Sequence, residues 1–256
     1  MPIHHLNCGT MNPPIAPPMV AHVFLVERAE GLLLVDTGFG TGDIASPKRL
    51  GAAFRMATRA ALDTAETALA QVQRLGHRPE DVTDIAVTHL DLDHAGGLGD
   101  FPNARVHLHA SELAAARNPS AREKARYIKA QWAHGPQWVE HREGGDDWFG
   151  FASATVLGED VVLIPLHGHT RGHSGIAVRR DDGSWLLHAG DAFFNTHQMD
   201  PEPSCPASLT AFQRLLAMDN AARVANVERL RELVHGHPEV TVVCAHDKAM
   251  YDALAG

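Results

Sequence analysis

Short apolar runs alternate with polar turns along most of the chain. Two of them, MVAHVFLVE (19–27) and GLLLVDTG (31–38), are joined by a short polar turn and predict a β-hairpin. Further apolar runs predict strands at residues 83–89, 104–109, 161–167, 175–180, 184–190 and 240–246. Helical patterns are found at residues 48–75, 111–134, 208–218 and 221–236. Both halves of the chain therefore combine strands with helices.

Composition narrows the class of protein. The 45% hydrophobic and 21% charged residues are ordinary for a soluble globular protein. There is no apolar run of about eighteen residues, and the N-terminus MPIHHLNCGT lacks a basic and then apolar segment, so we expect neither a membrane span nor a secretory signal. The net charge of −9 disfavours nucleic-acid binding, and three widely spaced cysteines fit a reducing cytoplasm. The 18 histidines favour metal binding.

The segment THLDLDHAGG (88–97) carries the densest candidate chemistry. It follows a predicted strand, and alternation places His89, Asp91 and Asp93 on one side of an extended segment. His94 then turns with the chain, where two glycines permit a sharp bend. Carboxylates interleaved with imidazoles in this way repel one another or stay unpaired unless a cation lies between them. The segment is therefore predicted to bind metal.

Other predicted strands end in similar side chains. A catalytic metal needs further ligands and an open position for water. The segments LIPLHGHTRGHSG, LLHAGD and VVCAHD supply candidates at strand ends, namely His167, His169, His173, Asp191 and His246. Because the candidates come from both halves, we expect one folded unit, residues 1–256. It would comprise two strand–helix halves (about 1–110 and 151–256) and a helical, Trp-rich insertion (about 111–150).

These motifs resemble those of the metallo-β-lactamase superfamily over nearly the whole chain. THLDLDHAGG resembles the family's His-x-His-x-Asp-His motif with one change, and GHTRGH resembles its GHTxGH. HAGD and CAHD resemble the motifs of the bridging aspartate and of the last histidine. The resemblance implies a four-layer αββα sandwich of the α/β (α+β) class. The branches it is most similar to are the lactonase and glyoxalase II-like hydrolases.

The resemblance also implies a ligand set. One metal would be bound by His89, Asp91 and His169, and the other by Asp93, His94 and His246, with Asp191 bridging the two. Asp36 in LLLVDTG and His173 would support these ligands without binding metal themselves.

Asp91 departs from the family pattern, which has histidine at this place. The added carboxylate makes this position harder, and oxygen ligands suit iron or manganese better than imidazoles do. We expect two divalent metal ions, with zinc as the default and iron or manganese as alternatives at the position that contains Asp91.

Two cations about 3.5–4 Å apart can turn a shared water into hydroxide at neutral pH. Asp93 is the predicted catalytic residue, which would orient this water and carry its proton to the leaving group. We therefore expect a metal-dependent hydrolase that cleaves an ester, lactone or thioester. Phe194 stands where certain lactonases of the family have tyrosine. Candidates for the substrate pocket are His22, Tyr127, Trp148 and Phe194.

Other functions remain open. The hydrolase substrate could instead be a phosphodiester or a β-lactam, and the metals could serve a di-iron redox or oxygen-handling protein or a non-catalytic metal binder. LLLVDTGFG resembles the active-site strand of aspartic peptidases, but that function leaves the histidine cluster without a role. We expect a small-molecule substrate, no nucleic-acid or membrane partner, and a cytoplasmic location. The Trp-bearing loop leaves a homodimer open.

Overall fold

The computed structural model describes residues 1–145 and 147–255, and Thr155 by its backbone alone. Residues 146 and 256 of the expected folded unit, the first of them in the expected insertion, lie outside this description. The described strands are β1 (Ile3–Asn7), β2 (His22–Arg28), β3 (Gly31–Val35), β4 (Val82–Ala86), β5 (Arg105–His109), β6 (Gln137–His141), β7 (Ala154–Leu157), β8 (Val161–Pro165), β9 (Ser174–Arg179), β10 (Trp185–His188) and β11 (Val240–Val243). The α-helices are α1 (Thr41–Ala45), α2 (Ala52–Thr58), α3 (Ala68–Arg74), α4 (Ala110–Arg117), α5 (Ala207–Leu216), α6 (Asn220–Gly236) and α7 (Lys248–Ala255).

The strands form two sheets. The first has the order β1-β2-β3-β4-β5-β6, antiparallel from β1 to β3 and parallel from β3 to β6. The second has the order β11-β10-β9-β8-β7, in which the β10–β11 pair is parallel and the other described pairs are antiparallel. Strands β8, β10 and β11 therefore run in the same direction.

The two faces of each sheet bury different cores. In β2, Phe24 and Val26 pack in a cluster with residues of β8 and β9, which lies between the sheets. Val23 and Leu25 of the same strand instead pack with residues of α3 and α4. On the outer face of the second sheet, residues of β8, β10 and β11 pack with α6. Burial on both faces explains why the strands read as continuous apolar runs, and the expected αββα sandwich is confirmed.

Two predicted helices are interrupted. The segment 48–75 contains α2 and α3, separated by residues that include Arg59 and Leu62, whose φ angles of 48° and 51° are left-handed and end helical geometry. The helix predicted at 111–134 stops at Arg117 in α4, because Asn118 precedes a proline, which disfavours helical geometry at the residue before it. The segment expected as an insertion also contributes the edge strand β6.

The loops that follow five strands meet at one edge of the sandwich. Strands β3 and β4 are parallel neighbours in the first sheet, and β8, β10 and β11 share a direction in the second. The loops after their carboxyl ends carry Asp36, the 89–94 segment, His169, Asp191 and His246. The helices among the described residues lack the length and the hydropathy that a membrane span requires.

Candidate metal centre

The loop after β4 alternates apolar and polar side chains. Leu90 and Leu92 are buried in apolar clusters, so the residues between and beside them are directed away from those clusters. The backbone N–H of His94 donates to the carbonyl oxygen of Asp91 at 3.0 Å and turns the chain. Thr37 then fixes this turn, because its N–H and its hydroxyl both donate to the carbonyl oxygen of His94 (2.9 and 2.7 Å).

The loop after β10 brings Asp191 to the same place. Gly190 has a φ of 54°, and a Cβ atom at this residue would lie 2.6 Å from Nε2 of His173, so glycine is required. Nε2 of His173 accepts from the N–H of Asp191 (2.9 Å), and its Nδ1 donates to the carbonyl oxygen of Leu166 (2.9 Å). Both ring nitrogens of His173 are therefore hydrogen-bonded to backbone groups, and neither is free to bind a metal.

Asp191 lies in the middle of the predicted ligands. Its Oδ1 is 3.4 Å from Nε2 of His94 and 3.1 Å from Nε2 of His246. Its Oδ2 is 3.3 Å from Nε2 of His169 and 3.9 Å from Nε2 of His89. The structure thus brings the seven predicted ligands together in two sets that share Asp191. We name these sets position one (His89, Asp91, His169) and position two (Asp93, His94, His246).

Position two is supported from behind. Nδ1 of His94 donates to Oδ2 of Asp36 and Nδ1 of His246 donates to the carbonyl oxygen of Val20, both at 2.8 Å. Both Nε2 atoms therefore face the centre, where they could bind a metal. The buried Oδ1 of Asp191 has no hydrogen-bond partner among the described residues. Two imidazoles and two carboxylates, one of which contributes this oxygen, fit a divalent cation such as zinc.

At position one, part of the donor set is already engaged. The Arg126 guanidinium forms a bidentate pair with Asp91, in which Nε donates to Oδ1 at 2.8 Å and Nη2 to Oδ2 at 2.5 Å. The same Nη2 donates to Nε2 of His169 at 2.7 Å. His89 makes no contact of this kind with Arg126: its Nδ1 bonds the hydroxyl of Thr88 (2.9 Å), and its buried Nε2 has no hydrogen-bond partner among the described residues. Position one therefore fits a metal ion only if Arg126 withdraws.

The electrostatics of the centre reflect these contacts. Burial raises the pKa of Asp191, but the imidazoles of His246, His94 and His169 hold it well below its usual range. Burial likewise raises the pKa of Asp91, and Arg126 followed by neighbouring histidines lowers it well below its usual range. Burial and the nearby guanidinium lower the pKa of His169 to about 4. The centre is therefore built of anionic carboxylates and a neutral His169 around a space suited to positive charge.

Two of the residues that shape the centre were not foreseen from the sequence. Arg126 lies at no strand end and in no motif. The one indication in the sequence is indirect: a buried carboxylate such as that of Asp91 needs a cationic partner, but the sequence does not show which residue provides it. Glu112 is fully buried at the start of α4. Its Oε1 accepts from the N–H of Leu90 (3.0 Å), and its Oε2 accepts from Thr170 Oγ1 (2.6 Å) and the N–H of Gly172 (3.0 Å). Glu112 thereby ties the loop after β4 to the loop after β8.

A cavity of about 470 Å³ opens beside the centre. Asp91, Asp93, Asp191 and His246 form its polar end. The rest of the wall is largely apolar and includes Met11, Met19, Phe54, Phe194, Phe212 and Leu215. The cavity can therefore hold an apolar molecule with its polar group against the carboxylates and imidazoles.

Of the four pocket candidates, Phe194 lines this cavity. The other three do not occur among the described lining residues. His22 lies in β2, where its Nε2 is 2.9 Å from Nδ1 of His5, and its ring packs on Phe24 between the sheets. The Tyr127 hydroxyl is directed into the protein and donates to Glu112 (3.2 Å).

Trp148 is also away from the cavity. It is buried against Trp185 and Phe151 on the outer face of the second sheet. The prediction that Trp148 lines the substrate pocket is therefore wrong, because the loop folds back onto the sheet and its rings complete the core.

A further cluster, His109, Glu143 and His167, lies outside the centre. Nε2 of His109 is 3.4 Å from Oε2 of Glu143, and Nε2 of His167 is 3.5 Å from Oε1. Nδ1 of His109 accepts from the N–H of Ser111 (3.2 Å), so the proton of the neutral ring sits on Nε2. This nitrogen therefore carries a proton in the neutral ring and is not available to a metal.

Comparison with known proteins agrees with this architecture. The model of a family described as the metallo-beta-lactamase superfamily matches residues 16–246. A Mycobacterium tuberculosis protein named a probable metallo-hydrolase is 47% identical over 255 residues, which cover 97% of this chain and 81% of the relative. An Agrobacterium fabrum protein named N-acyl homoserine lactonase AttM is 27% identical over 226 residues, covering 88% and 80% of the two chains.

Solved structures show the same fold. An N-acyl homoserine lactone hydrolase, with the product N-hexanoyl-L-homoserine at its catalytic metal centre, superposes with a TM-score of 0.76 at 19% identity, covering 98% of this chain and 95% of that one. The two backbones thus share a fold although few of their residues are identical. The chain belongs to the metallo-β-lactamase superfamily and is a metal-dependent hydrolase of this superfamily of dinuclear enzymes.

Proposed function

We propose that this hydrolase cleaves an ester, lactone or thioester bond in a small molecule that carries an apolar group. The observation that carries the proposal is the convergence of six candidate metal-binding side chains around Asp191 at the polar end of a largely apolar cavity. The names of the lactonase relatives support carbonyl chemistry, and the apolar walls support a substrate with a hydrocarbon or aromatic part.

The residues at positions one and two, together with Asp191, would hold the divalent ions, with zinc as the expected ion. Bound divalent ions supply Lewis acidity and a hydroxide nucleophile at neutral pH. Asp191 would join the two positions, because its two oxygens face different sets of imidazoles. Asp36 and His173 would keep His94 and Asp191 in place through the hydrogen bonds described above.

Asp93 is the residue that would move a proton. It is partly buried, lines the cavity, and its Oδ2 is 3.6 Å from Nε2 of His246. A carboxylate there can hold the attacking water and pass its proton to the leaving oxygen or sulfur. The apolar walls would exclude bulk water and bind the substrate's apolar group, at roughly 25 cal/mol per Å² of apolar surface buried. The homodimer and the cytoplasmic location stay predictions from the sequence.

A substrate panel tests the proposal. The zinc-loaded protein is assayed on lactones and esters of increasing acyl length, on thioesters, on aryl phosphates and on β-lactams. We expect hydrolysis of the carbonyl substrates that improves with acyl length, ceases on chelation and returns with zinc. Asp93→Asn, matched in size to the native side chain, should lower kcat more than it raises KM. Activity confined to phosphates or β-lactams, or unaffected by chelators, would contradict the proposal.

A further inference from the structure

Arg126 lies among the donor atoms of position one. Its guanidinium makes two parallel hydrogen bonds to the carboxylate of Asp91 and a third to the imidazole of His169. The side chain is only 11% exposed, and Nη1 is held by the carbonyl oxygen of Leu216 at 2.6 Å. A buried bidentate pair of this kind is a strong interaction with a defined geometry.

Position two has no such occupant among the described residues. The hydrogen bonds of His94 and His246 to Asp36 and to Val20 are made by Nδ1, on the side of each ring away from the centre. Their Nε2 atoms lie 3.4 Å apart. A cation that enters here takes the place of the contacts among His94, His246 and Asp191, but it does not have to displace a guanidinium.

We infer that Arg126 competes with the metal ion at position one, so that the two positions load unequally. An ion binds first at position two, and a second ion binds at position one only when the guanidinium leaves Asp91 and His169. The inference rests on the proposed ligand set but not on the proposed reaction.

Charge balance supports this order. The centre contains the carboxylates of Asp91, Asp93 and Asp191, and one divalent ion together with the guanidinium neutralises them. A second divalent ion added beside a retained guanidinium would leave an excess of positive charge in a buried site, which is unfavourable. Arg126 also lines the cavity, so the cavity offers space for the guanidinium after it leaves Asp91 and His169. The same pairing gives a physical reason for the carboxylate at residue 91, since a histidine there could not bind the guanidinium in a bidentate manner.

Zinc titration of the metal-free protein, by calorimetry with a competing chelator and by elemental analysis, tests the inference. For the wild-type protein we expect one tightly bound equivalent and a second that binds about tenfold or more weakly. Arg126→Gln, which removes the charge and the bidentate pair, should bring the two affinities to within a few-fold of each other.

Arg122→Gln is the matched control. Arg122 lines the same cavity, but it donates to the carbonyl oxygens of Leu215 and Ala217 and is not paired with a ligand of the centre. Its removal should leave the stepwise binding of zinc unchanged. Equal affinities in the wild-type protein, or the same separation of affinities in Arg126→Gln, would overturn the inference.

Cobalt titration of the wild-type protein decides the question even if the Arg126 variant does not fold. Magnetic coupling between two cobalt ions, read by electron paramagnetic resonance, should be absent at one equivalent and develop with the second. Coupled pairs at one equivalent would refute the unequal loading. Since neither titration reads hydrolysis, stepwise loading without ester or lactone cleavage would contradict the proposed function alone.

Discussion

Positions one and two share Asp191, but the hydrogen bonds of their ligands come from opposite sides. In position two, Asp36 and the Val20 carbonyl hold the histidines from behind and leave the metal-facing nitrogens open. In position one, Arg126 holds Asp91 and His169 from the front. A hydrogen bond behind a ligand prepares it for a cation, whereas one in front competes with the cation for the same lone pair. Two sets of similar composition can therefore differ in affinity because of one further residue.

Loss of Asp191 should remove the difference in metal affinity between the two positions, because both depend on this residue. We expect Asp191→Ala to release metal from both positions and to reduce turnover by roughly 10³-fold or more. Elemental analysis and hydrolysis assays measure the two effects, and Asp191→Asn controls for lost volume. Retention of the full metal content by Asp191→Ala would show that this residue does not join the positions.

Loss of the hydrogen bond behind His94 should reverse the order of metal affinity at the two positions. Asp36 accepts directly from His94, and it reaches His89 only through the hydroxyl of Thr88. Asp36→Asn should weaken zinc binding at position two by about 10–100-fold, with a smaller effect at position one. Zinc titration measures both steps, and an unchanged tight step would mean that Asp36 has no part in orienting the ligand.

Placing the histidine of the family pattern at residue 91 tests the role of the pair between Asp91 and Arg126. Asp91→His removes the partner of a buried guanidinium, so it should lower the free energy of unfolding by about 1–3 kcal/mol. Adding Arg126→Gln should recover part of this loss. The double variant should also favour zinc over manganese more than the wild-type protein does, because an imidazole replaces a hard oxygen ligand. Thermal unfolding and metal competition measure the outcome, and an unchanged metal preference would contradict the account of Asp91.

A buried carboxylate away from the centre should have the smallest effect on metal binding. Asp84 is paired with Arg105 (2.8 Å) and His107 (2.8 Å) in the first sheet. Burial raises the pKa of Asp84, but these partners lower it from 3.8 to about 2. A depressed carboxyl pKa stabilises the fold above about pH 3.8, and this contribution disappears as the pH falls toward 2.

Asp84→Asn should therefore leave both zinc affinities unchanged and flatten the acid limb of the stability curve. Unfolding in denaturant between pH 5 and pH 2 measures the second effect. A change in zinc affinity would mean that the loss of any buried carboxylate alters metal binding, whether or not the carboxylate contacts a ligand.

Much of the fold, and the gathering of the candidate ligands in one place, could be predicted from the sequence. Strands buried on both faces give continuous apolar runs, and candidate ligands at strand ends stand next to those runs, as His169 and Asp191 do. Arg126 could not be predicted in this way, since its role depends on how residues 118–128 fold back over the loop after β4. The orientations of Tyr127 and Trp148 were unpredictable for the same reason, because an aromatic ring suits a core and a pocket equally well. The break in the helix at 48–75 arises from left-handed residues that periodicity does not reveal.

Anomalous diffraction from crystals of the wild-type protein with one equivalent of zinc would locate the first metal ion. We expect a strong peak among Asp93, His94, His246 and Asp191, with Arg126 still paired to Asp91, and a second peak at position one in excess zinc. A first peak at position one, or no zinc within bonding distance of these side chains, would contradict this expectation.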